Sequence, residues 1–356
     1  MDIFNPVVDP NLFHPNFAHV LQRATEHDRD VLRSWAEGFV DRDGKFVTEF
    51  QTTFNSSFWE LYLFAVLKEL SFPVDFGHEA PDFVIGGNTP FCIEAVTANN
   101  AAGGALESEA DFQTLMNLDL ETLLNESTIR LANAVSSKYQ KYQRRYGTLP
   151  HVSDRPFVLA VAPFEQPFFW FQNAQAITRV LYTYDTSRVE FDPEFGQEMV
   201  VDECLEYITK PNGSQVPLGY FAEPQMPEIS AVLYSNTATW GKVRALSADS
   251  DPYVWFETLR RDNNAPEASH SLQRRDEYSE SLLDGLYVFH NPHATRPLGL
   301  ELFRLPGVTQ YWLDDPEMPV PTVDAADGAL LQRHVVNTRG GPLHPLFFPL
   351  GAGGRG

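Results

Sequence analysis

The stretch that decides the fold is FWELYLFAVLKELSFPVDFGHEAPDFVIGGNTPFCIEAVT, residues 58–97. Its first part is apolar on every side, which is the pattern of a buried helix. That helix is expected to run from about Thr52 or Ser56 to Leu70, with Pro73 marking its end. Two short β-prone runs follow, Phe83–Ile85 and Phe91–Val96, separated by Gly86-Gly87-Asn88-Thr89-Pro90, and they read as a β-hairpin. Folding about Asn88 sets Phe83 opposite Ile93, Ile85 opposite Phe91 and Asp82 opposite Glu94. Side chains alternate along a strand, so Phe91, Ile93 and Ala95 share one face and Cys92, Glu94 and Val96 the other.

Three acids in this stretch stand out. Glu60 is the only acidic or basic side chain between Gln51 and Leu67. A lone ionised carboxylate in a buried helix costs several kcal/mol unless it is paired, protonated or bound to metal. Local exposure or an arginine partner would satisfy it as well. Asp82 and Glu94, if opposite one another, repel, and a divalent cation between them relieves that repulsion; the plain alternative is two solvated acids at the open end of a hairpin.

Downstream, a long helix is expected over about 111–146, perforce amphipathic. Leu124, Leu131, Ala134, Lys138 and Tyr142 fall at helical spacings, which puts Lys138 on the inward stripe with Lys141 at its edge. An inward lysine can stabilise charge at a phosphate or position a water; it can also pack its stem and reach solvent. Phe157–Ala162 is an apolar run suited to a buried strand, and a helix between two such strands suggests a parallel crossover.

Together these residues resemble the PD-(D/E)XK nuclease superfamily. The resemblance covers roughly residues 50–165 and rests on Glu60 in FWELYLF, Pro81-Asp82 in APDFVI and Glu94 in FCIEAVT. It departs at Val96, which stands where the family carries its lysine; Lys138, in SSKYQKYQ, resembles the lysine that some members carry on the neighbouring helix, with Gln140 or Lys141 as helpers. The resemblance implies an α/β fold with a central mixed β-sheet flanked by helices, a restriction-endonuclease-like core carrying a C-terminal elaboration. It implies a divalent-metal-dependent phosphodiesterase acting on nucleic acid, DNA more than RNA, in a defence role at most loosely indicated. Mg²⁺ or Mn²⁺ would be held by Asp82, Glu94, the Ala95 carbonyl and Glu60, and the catalytic set would be Glu60, Asp82, Glu94 and Lys138. The alternative is an inactive module of the same fold that binds nucleic acid or a protein partner. An unrelated α/β protein whose acids are surface features is the third reading. A homodimer is left open.

Composition bounds these readings. The 356 residues, 43% of them hydrophobic, suffice for one large core, and no linker stands out. The expected organisation is a lead-in and helix over 1–50, a nuclease-like core over 51–165, an elaboration continuous with it over 166–339 and a Gly- and Pro-rich tail over 340–356. The net charge of −22 argues against broad coating of nucleic acid, though not against a narrow basic groove. No apolar run approaches a membrane span, and MDIFNPVVDPNLFHPNF lacks the basic start and apolar stretch of a signal peptide. With only Cys92 and Cys204, a reduced, cytoplasmic setting is the simpler expectation and a thiolate zinc site is excluded.

Other segments are less decisive. Residues 1–20 read as extended, 26–38 as a helix ending near Gly38, 41–44 as a turn, 98–110 as a mobile loop, 168–182 as helical and 245–280 as polar loop or insertion. Strands are expected at 229–234 and 286–289. His290, Asn291, His293 and Arg296 in FHNPHATRP line the cleft or simply cap a turn, and His78 is a metal neighbour or a loop histidine. Gly103-Gly104 lacks the P-loop spacing, and no GxSxG or HExxH occurs.

Overall fold

A computed structural model describes residues 1–100, 107, 114, 117–192, 196–262, 268–316, 318 and 320–339. The helices are α1 (Pro15–Arg23), α2 (Glu26–Ala36), α3 (Phe46–Thr52), α4 (Phe54–Glu69), α5 (Leu120–Arg144), α6 (Gln175–Tyr182) and α7 (Trp240–Leu246). The strands are β1 (Phe83–Ile85), β2 (Phe91–Thr97), β3 (Phe157–Ala162), β4 (Tyr184–Asp192), β5 (Gln197–Cys204), β6 (Tyr207–Thr209), β7 (Gln215–Pro217), β8 (Ile229–Tyr234), β9 (Val254–Arg261), β10 (Ser269–Arg274), β11 (Leu286–His290), β12 (Val308–Trp312), β13 (Thr322–Ala325) and β14 (Ala329–Asn337).

The main sheet is mixed, in the order β1-β2-β3-β8-β11-β12-β13. The hairpin register is the expected one, Phe83↔Ile93, Val84↔Cys92 and Ile85↔Phe91. β2, β3 and β8 then run parallel, β11 is antiparallel to β8, and β12 is parallel to β11. Strands from the second half of the chain therefore hydrogen-bond into the same sheet as the hairpin.

Alternation along β2 divides the core into two layers. Ile93 and Ala95 pack with α4, whose Phe58, Trp59, Leu61, Tyr62 and Leu63 are all buried. Cys92 packs on the other side with Leu131, Ala132 and Val135 of α5. The Trp59 indole N–H donates to the Ala160 carbonyl at 3.0 Å and anchors α4 across β3. Burying α4 on all sides follows from its composition, and Glu60 is its one ionisable exception among those central turns.

Several local expectations are corrected. Residues 1–20 are not simply extended: Pro15 opens α1, His14 caps it, and Phe17 and Val20 are buried. Helix α3, directly after the 41–44 bend, was not anticipated. The 168–182 helix is split into a 3-10 turn at Phe169–Phe171 and α6, because Phe168 and Asn173 take left-handed backbone angles. The helix expected over 111–146 begins, as described, at Leu120, where Asp119 caps it by accepting from Glu121 N–H; residues 111–113 and 115–116 lie outside the described residues. The 245–280 segment is not a loop: β9 and β10 form a hairpin, and β14 joins β9 to complete a three-stranded sheet. Most of 98–110, including Gly103-Gly104, and the tail from 340 lie outside the described residues. Cys92 and Cys204 are free thiols. Among the described residues no helix is long and apolar enough to cross a membrane.

Candidate metal and phosphate site at the sheet edge

Because β1 is only three residues long and lies at the sheet edge, its ladder with β2 stops at Phe83. Asp82 sits just beyond. Its Oδ2 accepts the Ala95 backbone N–H at 2.7 Å, taking the place of a strand partner. Continuing the register puts Pro81 opposite Ala95, and proline has no N–H to offer the Ala95 carbonyl. The N–H and C=O of one strand residue leave on the same side, so that carbonyl projects toward the edge where Asp82 lies. Arg42 holds the approach to Asp82 by donating to the carbonyls of His78 and Pro81.

Glu94, buried at 2% exposure, points to the α5 side of β2. Its Oε1 accepts from Lys138 Nζ at 2.7 Å, Lys141 Nζ at 2.9 Å and the Tyr146 hydroxyl at 3.0 Å. Its Oε2 is buried and has no hydrogen-bond partner. Lys138 and Lys141 are three residues apart and so share one face of α5, while Tyr146 follows the helix end, its ring lying 4.8 Å under the Lys141 ammonium. The inward reading of Lys138 therefore holds, and Lys141 bonds the same carboxylate oxygen.

Glu60 enters from α4, on the opposite side of the sheet, and lines a cavity of about 490 Å³ together with Asp82, Arg42, Lys141, Arg145 and Tyr146. One oxygen from each of Glu60, Asp82 and Glu94 does not come within 4.8 Å of the other two, so the expectation of a single tight three-acid cage is corrected. The reason is the strand alternation itself: Glu94 belongs to the α5 face and Glu60 comes from the helix on the other face, so they meet only around the edge at Asp82.

The electrostatics show the three acids in one field all the same. Burial, then the charges of Asp82, Glu49 and Glu94, push Glu60 up to about 8, with Arg42 opposing. Burial and the charge of Glu94 push Asp82 up to about 6, against Lys138, the Ala95 N–H and Lys141. Burial also acts to raise Glu94, but Lys138 and Lys141 outweigh it and its value is lowered. Glu60 and Asp82 are thus held above the ordinary carboxylate range and Glu94 below it.

The orphaned Glu94 Oε2, Asp82 with one oxygen outside the Ala95 bond, and the Ala95 carbonyl are the oxygen donors that could hold a hard divalent cation here. The cavity wall also carries Arg42, Lys45, Lys141 and Arg145, set among the acids Asp41, Asp43, Glu49 and Glu79.

Other candidates resolve as structural. His78 stacks on His151 at 3.7 Å between ring centroids and approaches Asp75 at 3.4 Å. His290 bonds Gln310, and Asn291 ties down the Met226 and Ile229 carbonyls and accepts from His293 N–H, which is the turn-capping reading of FHNPHATRP. Arg296 approaches Asp154 at 3.6 Å. Val96 carries no charge, and the two ammonium groups that meet Glu94 come from α5. Comparison of the chain with protein-family models, curated proteins and solved structures returns no match.

Proposed function

We propose that this chain is a divalent-metal-dependent phosphodiesterase acting on nucleic acid, with DNA favoured, in the manner of the PD-(D/E)XK nucleases it resembles. The observation that supports this most is the 2.7 Å contact between Lys138 Nζ on α5 and Glu94 Oε1 on β2, one residue from the Ala95 N–H that holds Asp82. A charged group from the helix thus stands where the strand offers Val96.

Asp82, Glu94 Oε2 and the Ala95 carbonyl would hold Mg²⁺ or Mn²⁺, with Glu60 oriented toward that set from the far side of Asp82. The bound ion would supply Lewis acidity toward a phosphate oxygen and lower the pKa of a water. Lys138 and Lys141 hold Glu94 by one oxygen and leave the other directed to the ion. Lys141 and Arg145, facing the cavity, bind phosphate oxygens and stabilise the charge that grows on them. The test is cleavage of plasmid DNA and of RNA with Mg²⁺ or Mn²⁺ by the wild type and by Asp82→Ala, Glu94→Ala and Lys138→Ala. Loss in all three is expected. Cleavage that survives in both acid variants refutes the proposal.

A second reading is a catalytically silent module of this fold that binds nucleic acid or a protein. The observation favouring it is that both lysines are already neutralised on Glu94. Calorimetric titration with Mn²⁺ separates the two: an equivalent of binding that Glu94→Ala removes supports the enzyme, and binding that Glu94→Ala leaves unchanged, or no binding, supports the silent module.

A further inference from the structure

A second cluster lies away from the hairpin. One ligand atom each from His14, Glu107 and Glu165 falls within 4.8 Å of the others. His14 is the cap of α1, Glu107 follows β2, and Glu165 follows β3. His14 Nε2 is 3.7 Å from Glu107 Oε1. Glu107 Oε1 accepts from Asn16 Nδ2 at 3.1 Å and Asn55 Nδ2 at 3.0 Å, and Asn55 also hydrogen-bonds Glu165. Two amides thus hold two carboxylates side by side.

No lysine or arginine pairs with either carboxylate among the described residues. Two carboxylates and an imidazole thus converge on one point, an arrangement that a divalent cation completes.

Glu107, Asn16 and Asn55 line a cavity of about 510 Å³ whose wall also includes Phe164, just after β3, Asn236, just after β8, and the cations Arg23, Arg244 and Arg333. The cavity thus lies outside the carboxyl ends of three parallel strands, where open α/β sheets bind ligands. Asn236 is fully buried, and its Oδ1 has no hydrogen-bond partner.

We propose that His14, Glu107 and Glu165 form a second metal site, for a borderline divalent cation of the Zn²⁺ or Mn²⁺ kind, open toward this cavity. One imidazole and two carboxylates suit such ions, and three protein ligands leave a coordination position for water or a ligand. Mg²⁺, which prefers an all-oxygen octahedron with several waters, fits less well. In the cation-free chain His14 Nδ1 accepts the Asn16 N–H at 3.2 Å, so the neutral ring carries its proton on Nε2, facing Glu107. Metal on Nε2 moves that proton to Nδ1 and breaks the cap bond with Asn16. The exchange conserves the proton and gives a specific signature.

The site shares only α4 with the hairpin site, through Asn55 and Glu60, and does not depend on the nuclease reading. The test is calorimetric titration of the full chain with Zn²⁺ in an Asp82→Asn/Glu94→Gln background, which silences the hairpin donors. One saturable equivalent is expected. Adding Glu165→Gln, or His14→Asn, which keeps a capping side chain, weakens it by about tenfold or more. In ¹⁵N spectra of histidine-labelled protein, Zn²⁺ moves the His14 ring proton from Nε2 to Nδ1. Absence of one-to-one binding, or binding indifferent to both substitutions, overturns the proposal. So does an unmoved ring proton, which leaves a proton-shared His–carboxylate pair only.

Discussion

Glu60→Gln is expected to abolish a pH dependence of stability that the wild type shows. Glu60 is raised from 4.5 to about 8, first by burial and then by the charges of Asp82, Glu49 and Glu94. Because the folded state holds this proton more tightly than the unfolded chain, folding takes up a proton between those two values. Stability therefore falls as pH rises from about 4.5, and the loss is complete above about 8. Counted in full the rise corresponds to about 5 kcal/mol; water in the adjoining cavity screens part of it, leaving roughly 2–3 kcal/mol. Glutamine fills the same space without a charge at any pH. Urea unfolding of cation-free protein at pH 6 and pH 8.5 measures the difference. The wild type should lose roughly 1–1.5 kcal/mol more than the variant between those values, so that the variant's advantage grows with pH. Mn²⁺ should narrow the gap at pH 8.5 by stabilising the ionised wild-type cluster. Stabilities of the two proteins that run parallel across the range would refute the account of Glu60 as a buried acid in the field of Asp82.

Tyr146→Phe removes one of three donors to Glu94 Oε1 and should cost roughly 1.5–3 kcal/mol in urea unfolding, the range for a hydrogen bond to a charged group; an unchanged midpoint would mean the two lysines suffice to hold Glu94. Lys242 and Arg333 are buried against Glu280, and Lys242 Nζ also donates to the carbonyls of Ser281 and Asp284. Glu280→Gln leaves two buried cations short of their counter-charge and should cost about 3–5 kcal/mol, whereas a loss under 1 kcal/mol would show that the backbone carbonyls and water carry them.

How much of this was legible follows residue by residue. The hairpin register was readable because its signal is short-range: Gly-Gly-Asn sets the turn and a period of two assigns every side chain to a face. Lys138 was readable as inward because a period of 3.6 does the same for α5. Lys141 looked marginal in that pattern, since its contact with Glu94 depends on how α5 lies across β2. The strands between 245 and 280 were missed because β9 finds its partner in β14, far along the chain, and half-polar strands such as SHSLQR show little apolar alternation on their own. The His14–Glu107–Glu165 cluster carried no sequence signal at all, since its members lie on three separate segments and share no spacing.

From the order of its residues alone, this chain determines which segments are helix or strand around the hairpin, which way their side chains face, and that Glu60 is a misfit in an apolar helix. Those properties are set by backbone periodicity and by the free energy of burying one face of a local element. Only the tertiary structure decides that Glu94 shares one oxygen among Lys138, Lys141 and Tyr146, that Glu60 and Glu94 meet around a sheet edge instead of in one cage, and that His14 reaches Glu107 and Glu165. Such contacts depend on how whole layers dock, a matter of packing and desolvation summed over distant residues, and no local repeat in a sequence encodes that sum.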